Sequence, residues 1–439
     1  MNRKDKLIEL TNSKIKQPDF INCHKGNIKD FTRARLLTFP LVFLLLLQKS
    51  VKSLQLVLNE IFMGNHIKKP VTSGAYTKVR KKFRHTAFIE LNEGAIELYY
   101  SDDEIKRWKG YRVFGVDASR IILPNHPEIK AAFGETRIDN QHGSYGSYVS
   151  ALFECRYDVL NRIACQSELY PGDSYEVDLA ISLLKESAGQ CAGSKDLDIY
   201  DRAYGSYEFM ANLVHHKRAF VIRCAANTFK DAKSLFEGIG PWSKTVKLKA
   251  PKDRQKKMEA AGLPTEIEVR FVSVVLESGE IEVLITSLMD PDIQRPEFKE
   301  LYFLRWRVEG FYHLLKGRLN LENFTGKSLE SVKQDFWSSI FISNVETIFT
   351  EDIEKEINAE LKENQLSTKI NRAVSLNAIK NMAFELFFYE DDKTIIKEKL
   401  TLLFQTNTLV QRKNRNALRN KESPPKTINY QKRNRKHVF

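Results

Sequence analysis

Three acidic residues occupy positions where a carboxylate is costly to bury, and together they could hold a divalent cation. Asp117 follows an apolar run in FGVDAS, and Asp201 ends a second such run in DIYDRAY. Glu309 lies in YFLRWRVEGFYHLLK, a segment whose periodicity predicts a helix. Burying an isolated carboxylate is unfavourable unless a partner compensates its charge. Taken singly, each aspartate is better explained as a hydrogen-bonded residue at a strand end, so the inference depends on the set.

The predicted helix surrounds Glu309 with charged and aromatic residues. Tyr302, Arg305 and Glu309 are spaced at i, i+3 and i+7, which places them on one helix face. Lys316 returns to that face seven residues later. A carboxylate between Arg and Lys suits a phosphate group beside a metal ion. The alternative is a solvated face with an Arg–Glu pair, which does not explain why Tyr302 and Trp306 stand beside the charges.

The segments around the two aspartates indicate a mixed α/β sheet. They predict, in order, a strand (111–124), a hairpin (148–169), a helix (174–184), a strand (197–205), a helix (206–217) and a strand (219–225). This order is typical of an α/β core. A β-rich insertion is expected at 226–290, and helical patterns resume at about residue 298.

The most apolar stretch, residues 36–47, predicts a buried helix. It is shorter than the about 20 apolar residues that a membrane-spanning helix needs. It also lacks the early position and the cleavage site of a signal peptide. The five cysteines are scattered and form no C-x-x-C pair, which favours structural thiols in a reducing compartment. We therefore expect no membrane association and a cytoplasmic protein.

The chain is basic, with 69 Lys and Arg against 56 Asp and Glu and a net charge of +13. Such a surplus indicates a polyanion partner, although a solvated basic surface is an equally simple explanation. Three residues of one predicted helix are candidate DNA contacts: Lys78, Arg80 and Lys81. The alternative for them is the solvated face of a helical bundle. The basic tail, residues 411–439, is expected to become ordered on nucleic acid.

These motifs resemble the DDE transposases of bacterial insertion sequences, of the insertion-sequence-4 type. The spacing Tyr302-x2-Arg305-x3-Glu309-x6-Lys316 matches the Y-R-E-K signature of that family. DRAY, 201–204, resembles its second-aspartate motif, and GVDAS, 115–119, resembles its first-aspartate strand. The resemblance extends from about residue 30 to 350, and the four-residue signature after both aspartate motifs is its specific part.

The resemblance implies an RNase H-like catalytic core, interrupted by a β-rich insertion and flanked by helical regions. It implies metal-dependent cleavage at the ends of an insertion sequence and strand transfer into target DNA. The carboxylates that would hold Mg²⁺ or Mn²⁺ and act in catalysis are Asp117, Asp201 and Glu309. The residues that would contact DNA phosphates or terminal bases at the cleaved end are Tyr302, Arg305, Trp306 and Lys316. The implied partners are terminal inverted repeats and target DNA, bound by a homodimer on paired ends.

The expected organisation has six segments. They are a helical DNA-binding region (1–105), the first part of the core (106–225), the β-rich insertion (226–290), the Y-R-E-K part of the core (291–350), a helical region (351–410) and the basic tail (411–439). Two other functions remain open. One is an inactive or domesticated sequence-specific DNA-binding protein, and the other is an RNase H-like nuclease without strand transfer.

Overall fold

The structure is a computed structural model that describes residues 2–33, 35–50, 52–64, 66–102, 104–140, 143–186, 195–361 and 365–411. The chain forms two compact units. The sheet unit contains Asp103–Ile121 and Ala151–His313. The helical unit contains Met1–Asp102, Ile122–Ser150 and Leu314–Phe439. The predicted basic tail lies outside the described residues, apart from residue 411.

The strands are short and most contain β-branched or aromatic residues, which fit a pleated surface. They are β1 (Tyr111–Ile122), β2 (Thr136–Asn140), β3 (Gly143–Tyr148), β4 (Ser150–Asp158), β5 (Ile163–Pro171), β6 (Lys195–Tyr200), β7 (Ala219–Arg223), β8 (Ser243–Lys249), β9 (Glu266–Val275), β10 (Ile281–Thr286), β11 (Thr368–Ile370) and β12 (Thr408–Val410).

The helices occupy both ends of the chain and the connections between strands. They are α1 (Arg3–Lys14), α2 (Pro18–Cys23), α3 (Phe39–Leu47), α4 (Leu54–Met63), α5 (Ser73–Arg80), α6 (Thr86–Tyr100), α7 (Pro127–Phe133), α8 (Glu176–Glu186), α9 (Tyr207–His215), α10 (Lys233–Phe236), α11 (Gln255–Ala260), α12 (Arg295–Phe303), α13 (Trp306–His313), α14 (Leu329–Ala359), α15 (Arg372–Asn381), α16 (Ala383–Phe387) and α17 (Thr394–Thr406).

An eight-stranded mixed sheet forms the centre of the sheet unit, in the order β5-β4-β1-β6-β7-β10-β9-β8. The central strands β1, β6 and β7 run parallel, whereas β4 and β5 form an antiparallel hairpin. Helices α8 and α9 provide the connections between the parallel strands. This arrangement confirms the predicted α/β class with a mixed sheet.

The strands that follow residue 226 extend the same sheet. β10 pairs antiparallel with β7, and β9 and β8 continue outward from it. Their inward side chains, including Val269, Phe271 and Ile285, join the hydrophobic core around β6 and α9. The β-rich segment is therefore part of the sheet unit, with which it shares a core.

The helical unit is built around α14, whose residues are buried from Ser331 to Glu351 on nearly every side. Helices α3, α6 and α15 pack against it. The predicted buried helix at residues 36–47 is confirmed, because every residue of α3 is buried. Within the described residues, no helix is both long and apolar enough to cross a membrane.

Candidate active site

The parallel pairing of β1 with β6 brings Asp117 and Asp201 to the same end of the sheet. Tyr111 pairs with Lys195 and Gly115 with Ile199. The same offset, continued two residues further, places Asp117 level with Asp201. Residues in register on adjacent strands point to the same face, and such strands lie about 4.8 Å apart. The two aspartates therefore occupy neighbouring positions just beyond the paired part of the two strands.

Helix α13, which carries Glu309, packs directly on β1. A Cβ added at Gly115 would lie 3.3 Å from Val308 Cβ and 3.1 Å from Val159 Cγ1, closer than most Cβ contacts, so glycine permits this approach without displacing its neighbours. The Tyr312 hydroxyl donates to the backbone carbonyl of Asp117 at 2.5 Å. Arg307 Nη1 also donates to the Val159 carbonyl at 2.8 Å. These contacts position the helix acid against the first strand acid.

Replacing Gly115 with Val should therefore destabilise the protein by about 1–3 kcal/mol, since its methyl groups would force α13 away from β1. The same substitution at Gly310 is the matched control, because a Cβ there would meet no atom of the described residues within 4 Å. We expect Gly310→Val to change the free energy of unfolding by less than about 0.5 kcal/mol. Urea unfolding measures both. Equal stability of the two variants would contradict the close packing of α13 on β1.

Arg305 joins the carboxylates electrostatically. Its Nη2 donates to Glu309 Oε1 at 2.9 Å, and its Nη1 lies 4.0 Å from Asp117 Oδ2. Burial alone would lower the pKa of Arg305, but Tyr302 and the three acids Asp201, Glu309 and Asp117 outweigh it and raise that pKa. All three predicted catalytic acids are thus close enough to stabilise one guanidinium group, whose side chain is only 6% exposed.

The carboxyl group of Asp117 has a strongly raised pKa. Burial raises its pKa to about 7, although Arg305 and the Ala118 N–H oppose the shift. Glu309 and Glu176 add to it by like-charge repulsion. Asp201 is more open, and its Oδ1 accepts a hydrogen bond from the Arg202 N–H at 2.7 Å. A second positive charge near Asp117 would favour its ionised form.

The chemistry of this cluster fits a hard divalent cation, because every donor is a carboxylate oxygen. Within the described ranges, no three Asp, Glu, His or Cys side chains are placed to hold one ion together. The Arg305 guanidinium lies 2.9 Å from Glu309 Oε1 and 4.0 Å from Asp117 Oδ2. In this conformation the positive charge beside Asp117 and Glu309 is the guanidinium group of Arg305.

The helix predicted around Glu309 is interrupted, so the expectation of one continuous helix face is wrong. Leu304 and Arg305 form a turn between α12 and α13, with the Arg305 N–H bonded to the Tyr302 carbonyl at 3.1 Å. Tyr302 is buried, and its hydroxyl has no partner among the described residues. Trp306 is 41% exposed and lies 4.7 Å from the Arg305 guanidinium carbon. Trp306 is therefore the aromatic residue of this group that is accessible to a ligand.

Lys316 belongs to the helical unit, where residues Leu314–Arg318 form a π-helical turn directly after α13. Its side chain is half-buried. Turns of this kind often occur at functional sites, because the extra residue redirects the side chains that follow. The seven-residue spacing between Glu309 and Lys316 therefore does not place the two side chains on one helix face, as it would on a regular α-helix.

The three basic residues of α5 and its end have different environments. Lys78 and Lys81 are exposed. Arg80 is buried, and its guanidinium donates to Asp335 Oδ1 at 2.8 Å and Gln334 Oε1 at 2.7 Å. It also binds Thr325 Oγ1 at 2.6 Å. Arg80 is thus engaged inside the helical unit, which does not suit the predicted DNA contact.

Two further acids near Asp117 were not predicted from the sequence. Glu154 lies on β4 and is fully buried, and Glu176 begins α8. Burial raises the pKa of Glu176; the positive charge of Arg120 lowers that pKa, and the negative charge of Asp201 raises it further. A signal for Glu154 was present, because it is the one acid inside the apolar run SALFEC. The number of carboxylates at this end of the sheet is therefore larger than three.

Comparison with known proteins identifies the class. The sequence profile described as the transposase DDE domain matches residues 108–345, more than half of the chain, and the protein belongs to that family. The transposase InsG for insertion sequence element IS4 of Escherichia coli (strain K12) is 22% identical over 282 residues. That match covers 63% of this chain and 60% of the relative, so it spans less than two thirds of the relative's length. The predicted resemblance to insertion-sequence-4 transposases is confirmed.

Among solved structures, the chain is similar to the piggyBac transposase in a synaptic complex with hairpin DNA. The TM-score is 0.43 at 11% sequence identity, over 91% of this chain and 83% of that one.

Proposed function

We propose that this protein is a DNA transposase that cleaves the ends of an insertion sequence and joins them to target DNA. The observation that carries the proposal is the convergence of Asp117, Asp201 and Glu309 on Arg305, at the end of two parallel strands. The order of these acids in the chain is that of a DDE domain, and the matched segment contains all three. The proposed reaction has two phosphoryl transfers. Water attacks a phosphodiester at the element end and releases a 3′-hydroxyl, and that 3′-hydroxyl then attacks a target phosphodiester, whose own 3′-oxygen leaves.

Asp117, Asp201 and Glu309 are the proposed holders of Mg²⁺ or Mn²⁺. When bound, such ions activate a water or a 3′-hydroxyl and stabilise the leaving oxygen. The protein contributes the ordering of the carboxylates by the β1–β6 register and by the packing of α13. Arg305 keeps the acids compensated before the cation arrives, because it already neutralises Glu309 at 2.9 Å.

DNA contacts are proposed for two groups of residues. Tyr302, Arg305, Trp306 and Lys316 belong to the first, near the cleaved end. Arg305 would have to turn away from Glu309 to reach a phosphate, and the exposed Trp306 ring can stack on a terminal base. Lys78 and Lys81 form the second group, which contacts phosphates along the duplex. We omit Arg80 because its donors are already used within the protein.

The proposed assembly is a homodimer on two paired ends. In such a dimer each protomer provides one active site, so that both ends of the element are cut and joined to the same target DNA. The six-segment organisation given above remains part of the proposal, with residues 1–105 as the DNA-binding region. The partners are the terminal inverted repeats and the target DNA.

The proposal is tested with purified full-length protein and end-labelled duplexes taken from the DNA that flanks its coding sequence. A supercoiled plasmid serves as target, and Mg²⁺ is compared with Ca²⁺. We expect nicks at one defined position with Mg²⁺, followed by joined plasmid products. Cleavage without joining would favour the nuclease alternative. A gel shift without cleavage would favour the binding-protein alternative.

Duplex binding by the isolated protein should depend strongly on salt. Each neutralised phosphate adds about −0.9 to the slope of log K against log salt concentration. Residues 412–439 contain ten Lys and Arg and one Glu, so they carry most of the net charge of +13. We expect their deletion to lower affinity for end and unrelated duplexes alike and to reduce the slope by several units. Gel-shift titrations over a range of salt concentrations measure both. A loss confined to the element end would contradict a phosphate-dominated role.

A further inference from the structure

Glu154 is an acid in the core of the sheet unit whose carboxylate forms no hydrogen bond with the part of the chain that the structure describes. It lies on β4, which neighbours β1, the strand that carries Asp117. Its exposed fraction is 0%. Neither carboxylate oxygen has a hydrogen-bond partner among the described residues. Buried polar groups in folded proteins are nearly always hydrogen-bonded, so an unpartnered carboxylate of this kind requires an explanation.

The charged groups that interact electrostatically with Glu154 are Asp117 and its neighbour Glu176. Glu176 and Asp117 raise its pKa by repulsion, after the larger effect of burial, to about 9. The hydroxyl groups of Tyr204 and Tyr312 also interact with it electrostatically. Tyr312 is the residue whose hydroxyl binds the Asp117 carbonyl. Glu154 is therefore a buried acid close to the groups of the candidate active site.

The neighbouring strand supplies a comparison. Glu168 on β5 is the cross-strand partner of Glu154. It is half-buried, and its Oε1 accepts a hydrogen bond from the Leu169 N–H at 2.9 Å. Like charges at directly opposed positions are unfavourable, and an apolar residue of similar size would fill the site of Glu154 at lower cost. The packing of the strand therefore does not account for an acid at position 154.

We propose that Glu154 is a fourth carboxylate of the divalent-cation site formed by Asp117, Asp201 and Glu309. This inference rests on the proposed function, because it assumes that these acids hold a cation. A divalent cation beside Asp117 would provide the missing partner for the buried carboxylate. Glu154 in turn would add negative charge on the closed, core side of the site. It is proposed as a residue that strengthens cation binding, in contact with the ion or through its coordination shell.

The test is Mn²⁺ binding by the full-length protein without DNA, measured by electron paramagnetic resonance of the free ion. Loss of a group that supports metal ligands weakens binding about ten- to a hundredfold. We expect a loss of that size for Glu154→Gln, which keeps the size of the side chain. Glu168→Gln is the matched control and should bind Mn²⁺ like the unmodified protein. Asp117→Asn tests the site itself and should abolish specific binding.

Thermal unfolding of the same variants separates cation binding from folding. Without Mn²⁺, Glu154→Gln and Glu154→Leu should be at least as stable as the unmodified protein, because each removes an unpartnered buried acid. Both should lose the stabilisation that Mn²⁺ gives to the unmodified protein. Unchanged Mn²⁺ affinity in Glu154→Gln, or failure of both variants to fold, would overturn the inference and make Glu154 a structural residue. Equal binding by Asp117→Asn and the unmodified protein would instead overturn the proposed metal site.

Discussion

Glu309→Gln should lower the rate of strand cleavage about a thousandfold or more while leaving DNA binding almost unchanged. The substitution keeps the shape of the side chain and its bond to Arg305, which an amide oxygen can also accept. It removes the charge that a metal ligand needs, and metal stabilisation of the transition state is worth several kcal/mol, or about three orders of magnitude in rate. Binding energy comes mainly from Lys and Arg residues elsewhere, so affinity should change little.

The measurement is nicking of a labelled end duplex in Mg²⁺, with a gel-shift titration in Ca²⁺. Glu300→Gln is the matched control, since Glu300 is an exposed acid on α12. Arg305→Ala should behave differently and weaken engagement of the cleaved end as well as turnover, because its proposed role includes phosphate contact. Near-normal nicking by Glu309→Gln would make Glu309 a structural partner of Arg305. The binding-protein alternative would then be the leading one.

Arg80→Ala should destabilise the helical unit by about 3–5 kcal/mol, since it leaves the buried Asp335 without its charged partner. The Asp335 side chain is 1% exposed and lies 2.8 Å from Arg80 Nη2. The same guanidinium also binds Gln334 and Thr325, so one residue connects α5 with α14 and the segment before it. The loss is therefore larger than that of a surface ion pair, which is typically worth less than about 1 kcal/mol.

Lys78→Ala is the control for this prediction, because Lys78 is exposed on the same helix. It should change stability by less than about 0.5 kcal/mol but lower the affinity for duplex DNA. Urea unfolding and gel-shift titration together distinguish the two roles. A stable Arg80→Ala variant with weakened DNA binding would show instead that Arg80 contacts DNA, as its sequence context first indicated.

The sequence was most informative where local pattern and strand order decide the structure. Apolar runs that end in an acid predicted the positions of Asp117 and Asp201, because a strand buried on both faces is recognisable from its residues. The helical patterns of α8 and α9 between predicted strands then indicated a mixed α/β sheet. The structure adds the parallel pairing of β1 with β6, which brings both aspartates to the same end of the sheet.

Long-range partners were not predictable in the same way. Arg80 was grouped with Lys78 and Lys81 because all three are basic and close in sequence. Tyr76 stands four residues before Arg80 on the same helix face and is buried with it. That spacing indicated a buried face, but only the fold reveals Asp335, far along the chain, as the partner.

The break at Leu304 and Arg305 and the π-helical turn at residues 314–318 were also missed. The apolar periodicity of the segment continues through both interruptions, and neither contains proline. Helix breaks of this kind, without proline or a change in periodicity, have no signal in the local sequence pattern. Glu154 was overlooked because a single acid inside an apolar strand is ordinarily a hydrogen-bonded residue.

Asp117, Asp201 and Glu309 are proposed to hold the divalent cation that DNA cleavage requires. Anomalous X-ray scattering of Mn²⁺ in crystals of the full-length protein with an end duplex tests this proposal most directly. We expect a Mn²⁺ peak bonded to carboxylate oxygens of Asp117, Asp201 and Glu309, with Arg305 turned away from Glu309 towards a DNA phosphate. An intact Arg305–Glu309 pair with Mn²⁺ bound at other residues, in crystals whose DNA has been cut, would contradict it.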